Sequence, residues 1–460
     1  MEQTATIAAI STAQAPGGIG IIRISGPHAR QIAERVFVSA RKQSILDTPG
    51  YTALYGWVYR YGAEPAERLD EAVATVFRAP HSFTGEDVVE LSCHGGLYLL
   101  RRVLDSVLAA GAQAAGAGDF THRAFLNGKM DLTQAESVMQ LIGAQGRQAA
   151  RAALAGREGA LFRRIRKNRE SLLHTAAHLS AWADYPEEDI PELDTAALAE
   201  SLRSVRDDLA QLLDQFDAGS VLREGVDTVI IGRPNVGKST LMNLLAGCER
   251  SIVTQFAGTT RDIVEDTVLL GGVPLRLADT AGLRNTDDPV EQIGVTRAKD
   301  RLQSAQLVLA VFDSSSPLTE EDKELIDAIG DVPAVAVVNK SDLDAKIDLK
   351  YIDDRFKHSV YISAAQGEGL LPLQQAVEEL LRTAEFNPAD GILYTERQRD
   401  TARSAKELLE EALSALESGM TLDAVTVSVE GAVAFLLELT GERASVAIVD
   451  AVFSQFCVGK

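Results

Sequence analysis

The chain has 460 residues, which at about 100–200 residues per domain predicts two to four domains, each with its own core. Its 46% hydrophobic and 24% charged residues are typical of an ordered globular protein and exclude wholesale disorder. No apolar run reaches the roughly 18 residues of a transmembrane helix, the N-terminus shows no secretory signal, and the 3 cysteines are too few for a disulfide framework. We therefore expect a cytoplasmic protein with no membrane partner.

The charge balance limits how this chain could hold nucleic acid. It carries 45 lysine and arginine residues against 66 aspartate and glutamate residues, a formal net charge of −21. A protein that binds nucleic acid along a broad surface is normally basic, because neutralising phosphates supplies most of the affinity. Any nucleic-acid contact is therefore expected at a local basic patch or together with a partner.

The first predicted elements are strands with helices between them. Runs rich in Val, Ile and Tyr, bounded by Gly and Pro, predict strands over 19–24, 51–60, 72–78 and 87–92. A helical pattern covers 97–109. Apolar residues recur at helical spacing again from about residue 131, where Thr133 and Glu136 have the spacing of a capping box.

The pattern of apolar residues changes twice more along the chain. From residue 226 to about 381, short apolar strands alternate with helices, which is typical of a parallel α/β sheet. A helical pattern returns from Thr395 to the end. The order predicts a multidomain α/β and α protein: an α/β domain over 1–126, a helical domain made of 127–223 and 385–460, and an α/β domain over 224–384 inserted into it.

A phosphate-binding loop opens the inserted domain. A strand over 228–231 runs into the pattern GxxxxGKS at 232–239, and a helix follows over 240–245. The glycines let backbone N–H groups turn toward phosphates, and the helix N-terminus favours negative charge. Lys238 is expected to reach the β- and γ-phosphates, and the Ser239 hydroxyl is expected to bind Mg²⁺.

Two later motifs indicate which nucleotide is bound. Asn339, Lys340 and Asp342 follow a strand, and a carboxylate at Asp342 can accept hydrogen bonds from the N1–H and 2-amino groups of guanine, which adenine does not offer. A strand ending near residue 361 is followed by Ser363, Ala364 and Ala365, where a backbone N–H can meet the guanine O6. Both motifs favour GTP.

The remaining motif concerns the γ-phosphate. Asp279, Thr280, Ala281 and Gly282 follow another predicted strand, where the aspartate can hold the metal through water and the Gly282 amide can sense the γ-phosphate. The next residue is Leu283, at a position where Ras-like GTPases carry the glutamine that orients water. Another group must polarise the water, and the polar stretch 284–292 offers candidates, Glu291 among them. No arginine finger can be assigned.

Motifs along nearly the whole chain resemble the MnmE (TrmE) family of tRNA-modification GTPases, of the TrmE-Era-EngA-like group. The motifs that carry this resemblance are GGIGIIRISG at 17–26, SFTGED at 82–87, HGG at 94–96, RAFLN at 123–127, DLTQAE at 131–136, GTTRD at 258–262 and FCVGK at 456–460. The resemblance implies a folate-binding aminomethyltransferase-like N-terminal α/β domain that also dimerises, a discontinuous helical domain, and an inserted Ras-like G domain.

For the G domain the resemblance implies K⁺ in place of an arginine finger. Its ligands would be Asn235, Thr254, Phe256 and Thr259; Thr260 would join Ser239 on Mg²⁺, and Glu291 would orient the water. The expected GTP-binding residues are then Asn235, Val236, Gly237, Lys238, Ser239, Thr240, Thr254, Gln255, Phe256, Ala257, Gly258, Thr259, Thr260, Asp279, Thr280, Ala281, Gly282, Asn339, Lys340, Asp342, Ser363, Ala364 and Ala365.

For the N-terminal domain the resemblance implies a site for 5-formyltetrahydrofolate or a related tetrahydrofolate, with Arg23, Glu90, Lys129 and Lys460 as contacts. Arg23 and Glu90 also fit a plain salt bridge at a strand edge, and Lys129 fits a solvated loop lysine. Cys457 is a candidate for one-carbon chemistry, and it also fits a small buried residue at a helix terminus.

The implied function is a K⁺-activated GTPase that works with an FAD-containing MnmG-type partner. The two form a heterotetramer around a homodimer and add an aminomethyl-type group at C5 of the wobble uridine of certain tRNAs. The alternative is a ribosome-assembly GTPase like Era, in which hydrolysis only times release from RNA. Such proteins append a basic RNA-binding domain, and the net charge of −21 disfavours that alternative.

Overall fold

The computed structural model describes residues 5–184, 194–247, 266–277, 302, 305–381, 387 and 390–460. The chain divides into a first unit, Met1–Met139 with Ala434–Lys460, and a second unit, Gln140–Val433. None of the described helices combines the length and the apolar character needed to cross a membrane. The three-domain division at 1–126, 127–223 with 385–460, and 224–384 stays a prediction.

The strands in chain order are β1 (Ile7–Ile10), β2 (Ile19–Ser25), β3 (Phe37–Ser39), β4 (Thr52–Tyr59), β5 (Arg68–Phe77), β6 (Val88–His94), β7 (Gln113–Ala114), β8 (Val226–Ile231), β9 (Asp266–Leu270), β10 (Val273–Leu277), β11 (Leu307–Asp313), β12 (Ala334–Asn339) and β13 (His358–Tyr361). The helices are α1 (Ala29–Val36), α2 (Leu97–Ala109), α3 (Asp119–Leu126), α4 (Leu132–Gly143), α5 (Arg147–Arg157), α6 (Ala160–Asp184), α7 (Thr195–Glu224), α8 (Lys238–Gly247), α9 (Glu320–Ile329), α10 (Leu349–Asp353), α11 (Leu370–Leu380), α12 (Glu396–Glu417), α13 (Leu422–Thr440) and α14 (Val446–Ser454).

In the first unit the strands form one sheet in the order β3-β4-β5-β6-β2-β1-β7. Strands β2 and β6 pair antiparallel, with Arg23 opposite Glu90. Because alternate side chains of a strand point to opposite faces, Ile22 and Ile24 are buried in the core that includes α1 and α2, while Arg23 points to the other face. That other face carries a smaller apolar cluster with Phe120 at its centre.

In the second unit a sheet has the order β13-β12-β11-β8-β10-β9, parallel except that β9 runs antiparallel to β10. Both faces are covered, so apolar side chains on both sides of β12 are buried: Val335 and Val337 lie in the core on one face, and Ala336 and Val338 in the core on the other. The predicted parallel sheet is confirmed for β8, β10, β11, β12 and β13, and β9 adds an antiparallel strand at one edge. The carboxyl ends of β8, β11 and β12 therefore meet at one edge.

The capping box predicted at Thr133 and Glu136 is wrong. Helix α4 begins two residues earlier, where the Asp131 carboxylate accepts the backbone N–H groups of Thr133 at 2.8 Å and Gln134 at 3.1 Å. The Gln134 side chain in return accepts the Asp131 N–H at 3.0 Å, which completes the reciprocal pair. Burial raises the pKa of Asp131. Aspartate is a stronger cap than an interior threonine, so it sets the start of the helix.

Candidate functional site

The phosphate-binding loop lies between β8 and α8, as predicted. Gly232 and Gly237 have φ of +152° and +100°, values at which a side chain is strained. A Cβ on Gly237 would also lie 2.1 Å from the Asn339 amide nitrogen. The Lys238 ammonium donates to the carbonyl oxygens of Gly232 and Arg233, both at 2.8 Å, so the loop is closed around its own lysine.

The loop is fastened to the predicted guanine motif by Asn339. This buried side chain donates to the Val236 carbonyl at 2.9 Å and accepts the Ala364 N–H at 3.0 Å. One amide therefore holds the phosphate loop on one side and the segment after β13 on the other. The structure brings three of the sequence-predicted segments together through a single residue.

Lys340 makes the second connection. Its ammonium donates to the Asn235 carbonyl at 2.9 Å and pairs with the Asp313 carboxylate at 2.6 Å. Asn235 and Lys340 both have positive φ, +66° and +62°, which non-glycine residues rarely adopt. Two consecutive residues of the guanine motif thus hold two consecutive carbonyls of the phosphate loop.

The other described site residues lie around this junction. Ser239 and Thr240 are in the first turn of α8, where the helix dipole favours a phosphate. Asp342 is exposed, so its carboxylate is accessible to a base, while Ser363 is buried and Ala365 is exposed. The residues that lie outside the described residues are Thr254, Gln255, Phe256, Ala257, Gly258, Thr259, Thr260, Asp279, Thr280, Ala281, Gly282 and Glu291.

Three contacts were not predicted from the sequence: they involve Asp313, the last residue of β11, and Ser316 and Asp322 after it. Asp313 pairs with Lys340, and Arg233 of the phosphate loop lies 3.2 Å from Asp322 and donates to the Ser316 hydroxyl at 2.5 Å. Burial by itself raises the pKa of Asp313, but the hydrogen bonds from Lys340 and Ser315 and the charge of Lys340 outweigh it and hold that pKa below its ordinary value. The sequence feature that could have indicated this pair is an acidic residue, Asp313, at the end of an apolar run.

In the first unit Arg23 and Glu90 form an ion pair across β2 and β6, with Nε 2.9 Å from Oε1. The guanidinium lies 5.6 Å from the ring centre of Phe83 and 5.5 Å from that of Phe120, within cation–π range. It also donates to the carbonyl of Gly459 at 3.3 Å. The predicted pair therefore exists and lies against the segment 457–460.

That segment is held in the first unit by backbone hydrogen bonds. Gly118 donates to the Cys457 carbonyl at 3.4 Å, and Phe120 donates to the Lys460 carbonyl at 3.2 Å. Gly459 has φ of +97°, and a Cβ there would lie 2.4 Å from a backbone carbonyl of the neighbouring strand. The structure thus brings the Arg23–Glu90 pair together with the backbone of Gly459, and half-buried Cys457 lies in the same segment.

Lys129 is held by a different contact. This exposed lysine donates to the carbonyl of Pro80 at 3.1 Å. Pro80 begins the segment 80–87, which also carries Phe83 over the Arg23 guanidinium. No contact joins Lys129 directly to Arg23 or Glu90 in the part of the chain that the structure describes.

Strand β8 leads into this phosphate loop, and Asn339 and Lys340 lie at the carboxyl end of the parallel strand β12. This arrangement defines a P-loop guanine-nucleotide-binding protein. Comparison with known proteins gives the family. The family model described as "GTP-binding protein TrmE N-terminus" matches residues 6–129, and the one described as "MnmE helical domain" matches residues 132–457.

Curated relatives indicate the same family over nearly their full length. The tRNA modification GTPase MnmE of Symbiobacterium thermophilum is 44% identical over 99% of both chains, and that of Synechococcus sp. is 42% identical over 99% of this chain and 98% of the relative. This chain belongs to the MnmE family of tRNA modification GTPases. The predicted family is thereby confirmed, and the Era-like alternative is not the family found.

Among solved structures, the G domain of the T. maritima FeoB iron transporter aligns with 34% of this chain and 98% of its own, at 26% identity and a TM-score of 0.25. A TM-score this low supports no conclusion.

Proposed function

We propose that this chain is a GTP hydrolase that acts in the modification of tRNA. The observation that carries the proposal is the junction at which Asn339 and Lys340 hold the carbonyls of Val236 and Asn235. It ties the phosphate loop to the segment that carries the exposed carboxylate of Asp342, which supports recognition of guanine and phosphates by one connected unit. Family membership supports tRNA modification as the purpose of hydrolysis.

The first test is nucleotide selectivity. Purified protein is expected to hydrolyse GTP and not ATP, and Asp342→Asn is expected to lose guanine selectivity because its amide cannot accept both guanine N–H groups. Asp327→Asn is the matched control, an exposed acidic residue of α9 in the same unit. Equal turnover of ATP and GTP by the wild-type protein contradicts the proposal.

Mg²⁺ and K⁺ belong to the proposal for the G domain. The Ser239 hydroxyl, in the first turn of α8, has no hydrogen-bond partner among the described residues and suits a Mg²⁺ ligand. The exposed side chain of Asn235 is likewise without a described partner, so its amide oxygen is available to K⁺. Thr254, Phe256, Thr259 and Thr260 complete the proposed ligand sets, and a cation there offsets charge that develops during phosphoryl transfer.

Turnover in different salts tests the K⁺ proposal. GTP hydrolysis is expected to be much faster in KCl than in NaCl at equal ionic strength, and Asn235→Ala is expected to remove that difference. Asn243→Ala, which changes an exposed asparagine of α8, is the control.

Glu291→Ala is expected to slow hydrolysis and leave GTP affinity intact, because a water-orienting carboxylate acts on the reaction and not on binding.

The folate proposal rests on Arg23. Two of the five N–H donors of its guanidinium bond Glu90 and Gly459, which leaves donors for a ligand, and the rings of Phe83 and Phe120 hold its plane. A paired carboxylate and guanidinium offer an acceptor and a donor side by side, which complements the amide and amino edge of a pterin. Lys129 and Lys460 add cationic groups suited to the glutamate tail.

Calorimetric titration with 5-formyltetrahydrofolate tests this site. Binding is expected for the wild-type protein and at least tenfold weaker binding for Arg23→Ala, which removes both the donors and the partner of Glu90. Arg60→Ala is the control, an exposed arginine of the same unit that pairs with Glu67. Unchanged affinity in Arg23→Ala contradicts the assignment.

The proposal extends to assembly and to the modified base. The chain forms a homodimer through its N-terminal domain, joins an FAD-containing MnmG-type protein in the cytoplasm, and uses a tetrahydrofolate one-carbon unit to add an aminomethyl or carboxymethylaminomethyl group at C5 of the wobble uridine. Cys457, half-buried and two residues before the Gly459 that Arg23 contacts, is the proposed reactive thiol. Light scattering tests the dimer, and nucleoside analysis of tRNA from cells with Cys457→Ser tests the chemistry.

A further inference from the structure

Strand β11 ends in an acidic residue, Asp313, whose side chain is held by three hydrogen bonds. Strand β11 lies between β8 and β12, so Asp313 emerges at the same sheet edge as the phosphate loop, in register with Asn339. One oxygen of Asp313 accepts the N–H of Ser315 at 2.9 Å and its hydroxyl at 2.7 Å, and the other meets the Lys340 ammonium at 2.6 Å. The side chain is only 13% exposed.

Lys340 in turn contacts the backbone of the phosphate loop. A lysine ammonium sits on a flexible four-carbon stem and needs a fixed partner to stay in one place. Asp313 supplies that partner, and the ammonium then donates to the Asn235 carbonyl at 2.9 Å. Asn235 has φ of +66°, a conformation that persists only when its surroundings impose it.

We propose that Asp313 is a positioning residue for nucleotide binding: it holds Lys340 against the Asn235 carbonyl and so keeps the phosphate loop in the conformation that the structure shows. The proposal rests on the proposed GTP-binding function and adds a residue to it. Asp313 acts on the loop and not on the base, because the only described partners of its carboxylate are Lys340 and Ser315. Loss of Asp313 therefore weakens the binding of every nucleotide that contacts the phosphate loop, and it does so by the same factor.

The experiment compares two fluorescent nucleotides on the full chain. Stopped-flow dissociation of mant-GDP and mant-IDP is measured for the wild-type protein, Asp313→Asn and Ser315→Ala, with Asp327→Asn as the control for loss of an exposed acidic charge. Inosine lacks the 2-amino group that Asp342 recognises, so the ratio of the two rates reports base recognition. Thermal unfolding of each variant shows whether the fold is retained.

Asp313→Asn is expected to release both nucleotides about tenfold faster with an unchanged ratio, because a charge-assisted hydrogen bond is replaced by a neutral one. Ser315→Ala, which spares the charge, is expected to give a smaller increase of the same kind and serves alone if Asp313→Asn fails to fold. Wild-type rates in the variants overturn the proposal. So does faster release of mant-GDP alone, which would indicate a base contact. A wild-type protein that retains neither nucleotide instead overturns the proposed function itself.

Discussion

Asn339 gives the sharpest test of the junction between the phosphate loop and the guanine motif. Asn339→Asp changes one NH₂ group into an oxygen and leaves the size of the side chain nearly unaltered. The remaining oxygen still accepts the Ala364 N–H, but an oxygen now faces the Val236 carbonyl across 2.9 Å. The side chain is 3% exposed, so water does not relieve this contact.

The expected loss follows from the lost donor. A buried hydrogen bond contributes about 1 kcal/mol, and the carbonyl left without a partner costs about 1–2 kcal/mol more. A total of about 2–3 kcal/mol corresponds to GDP binding that is about 30- to 140-fold weaker. Burial raises the pKa of the new carboxyl, and its protonated form can donate to Val236 again. The stability of the junction is therefore lost as pH rises, and the variant is expected to bind better at pH 5.5 than at pH 8.5.

Fluorescence titration with mant-GDP at both pH values, divided by the wild-type affinity at each, measures this effect. Asn339→Ala cannot regain a donor, so its loss is expected to be the same at both pH values. An Asn339→Asp variant that binds like the wild type at pH 8.5 would refute the reasoning. A loss that does not depend on pH would refute the part of it that concerns protonation.

Three further predictions concern the first unit. Gly459 has φ of +97°, and a Cβ added there lies 2.4 Å from a carbonyl oxygen, so Gly459→Ala is expected to detach the segment 457–460 at a cost of at least about 1–2 kcal/mol. The expected result is weaker binding of 5-formyltetrahydrofolate with unchanged GTP hydrolysis. Intact folate binding would contradict this prediction. The hydrogen bond that the His94 ring donates to the Asp70 carboxylate raises the pKa of His94 above its ordinary 6.5. The pair therefore stabilises the fold below that pH, and the effect fades as pH rises through the higher value; an NMR titration should show the His94 midpoint fall in Asp70→Asn. Burial raises the pKa of Cys93 to about 12, so iodoacetamide at pH 8 should modify Cys457 and spare Cys93 in peptide mass spectra, and equal labelling would contradict the buried position.

The local elements of the fold could be read from the sequence because each depends on residues close together in the chain. The helix Leu97–Ala109 and the loop before α8 have their predicted positions, and the later strands are displaced by only a few residues. A phosphate loop needs glycines at fixed spacing between a strand and a helix, and that requirement is met within about ten residues. The cap of α4 is a limit even of local reasoning, since two overlapping patterns compete at Asp131 and Thr133, and the aspartate prevails.

The contacts between distant residues were decided by tertiary structure alone. Asp313 reaches Lys340 because β11 and β12 are neighbours in a parallel sheet, and no local spacing encodes that order. Likewise Arg23 and Gly459 meet only because the end of the chain binds beside β2. The sequence by itself determined the chemistry that each segment can perform. The packing of the sheets decided which charged groups lie within hydrogen-bond distance of one another, since it alone overcomes the chain entropy that separates them.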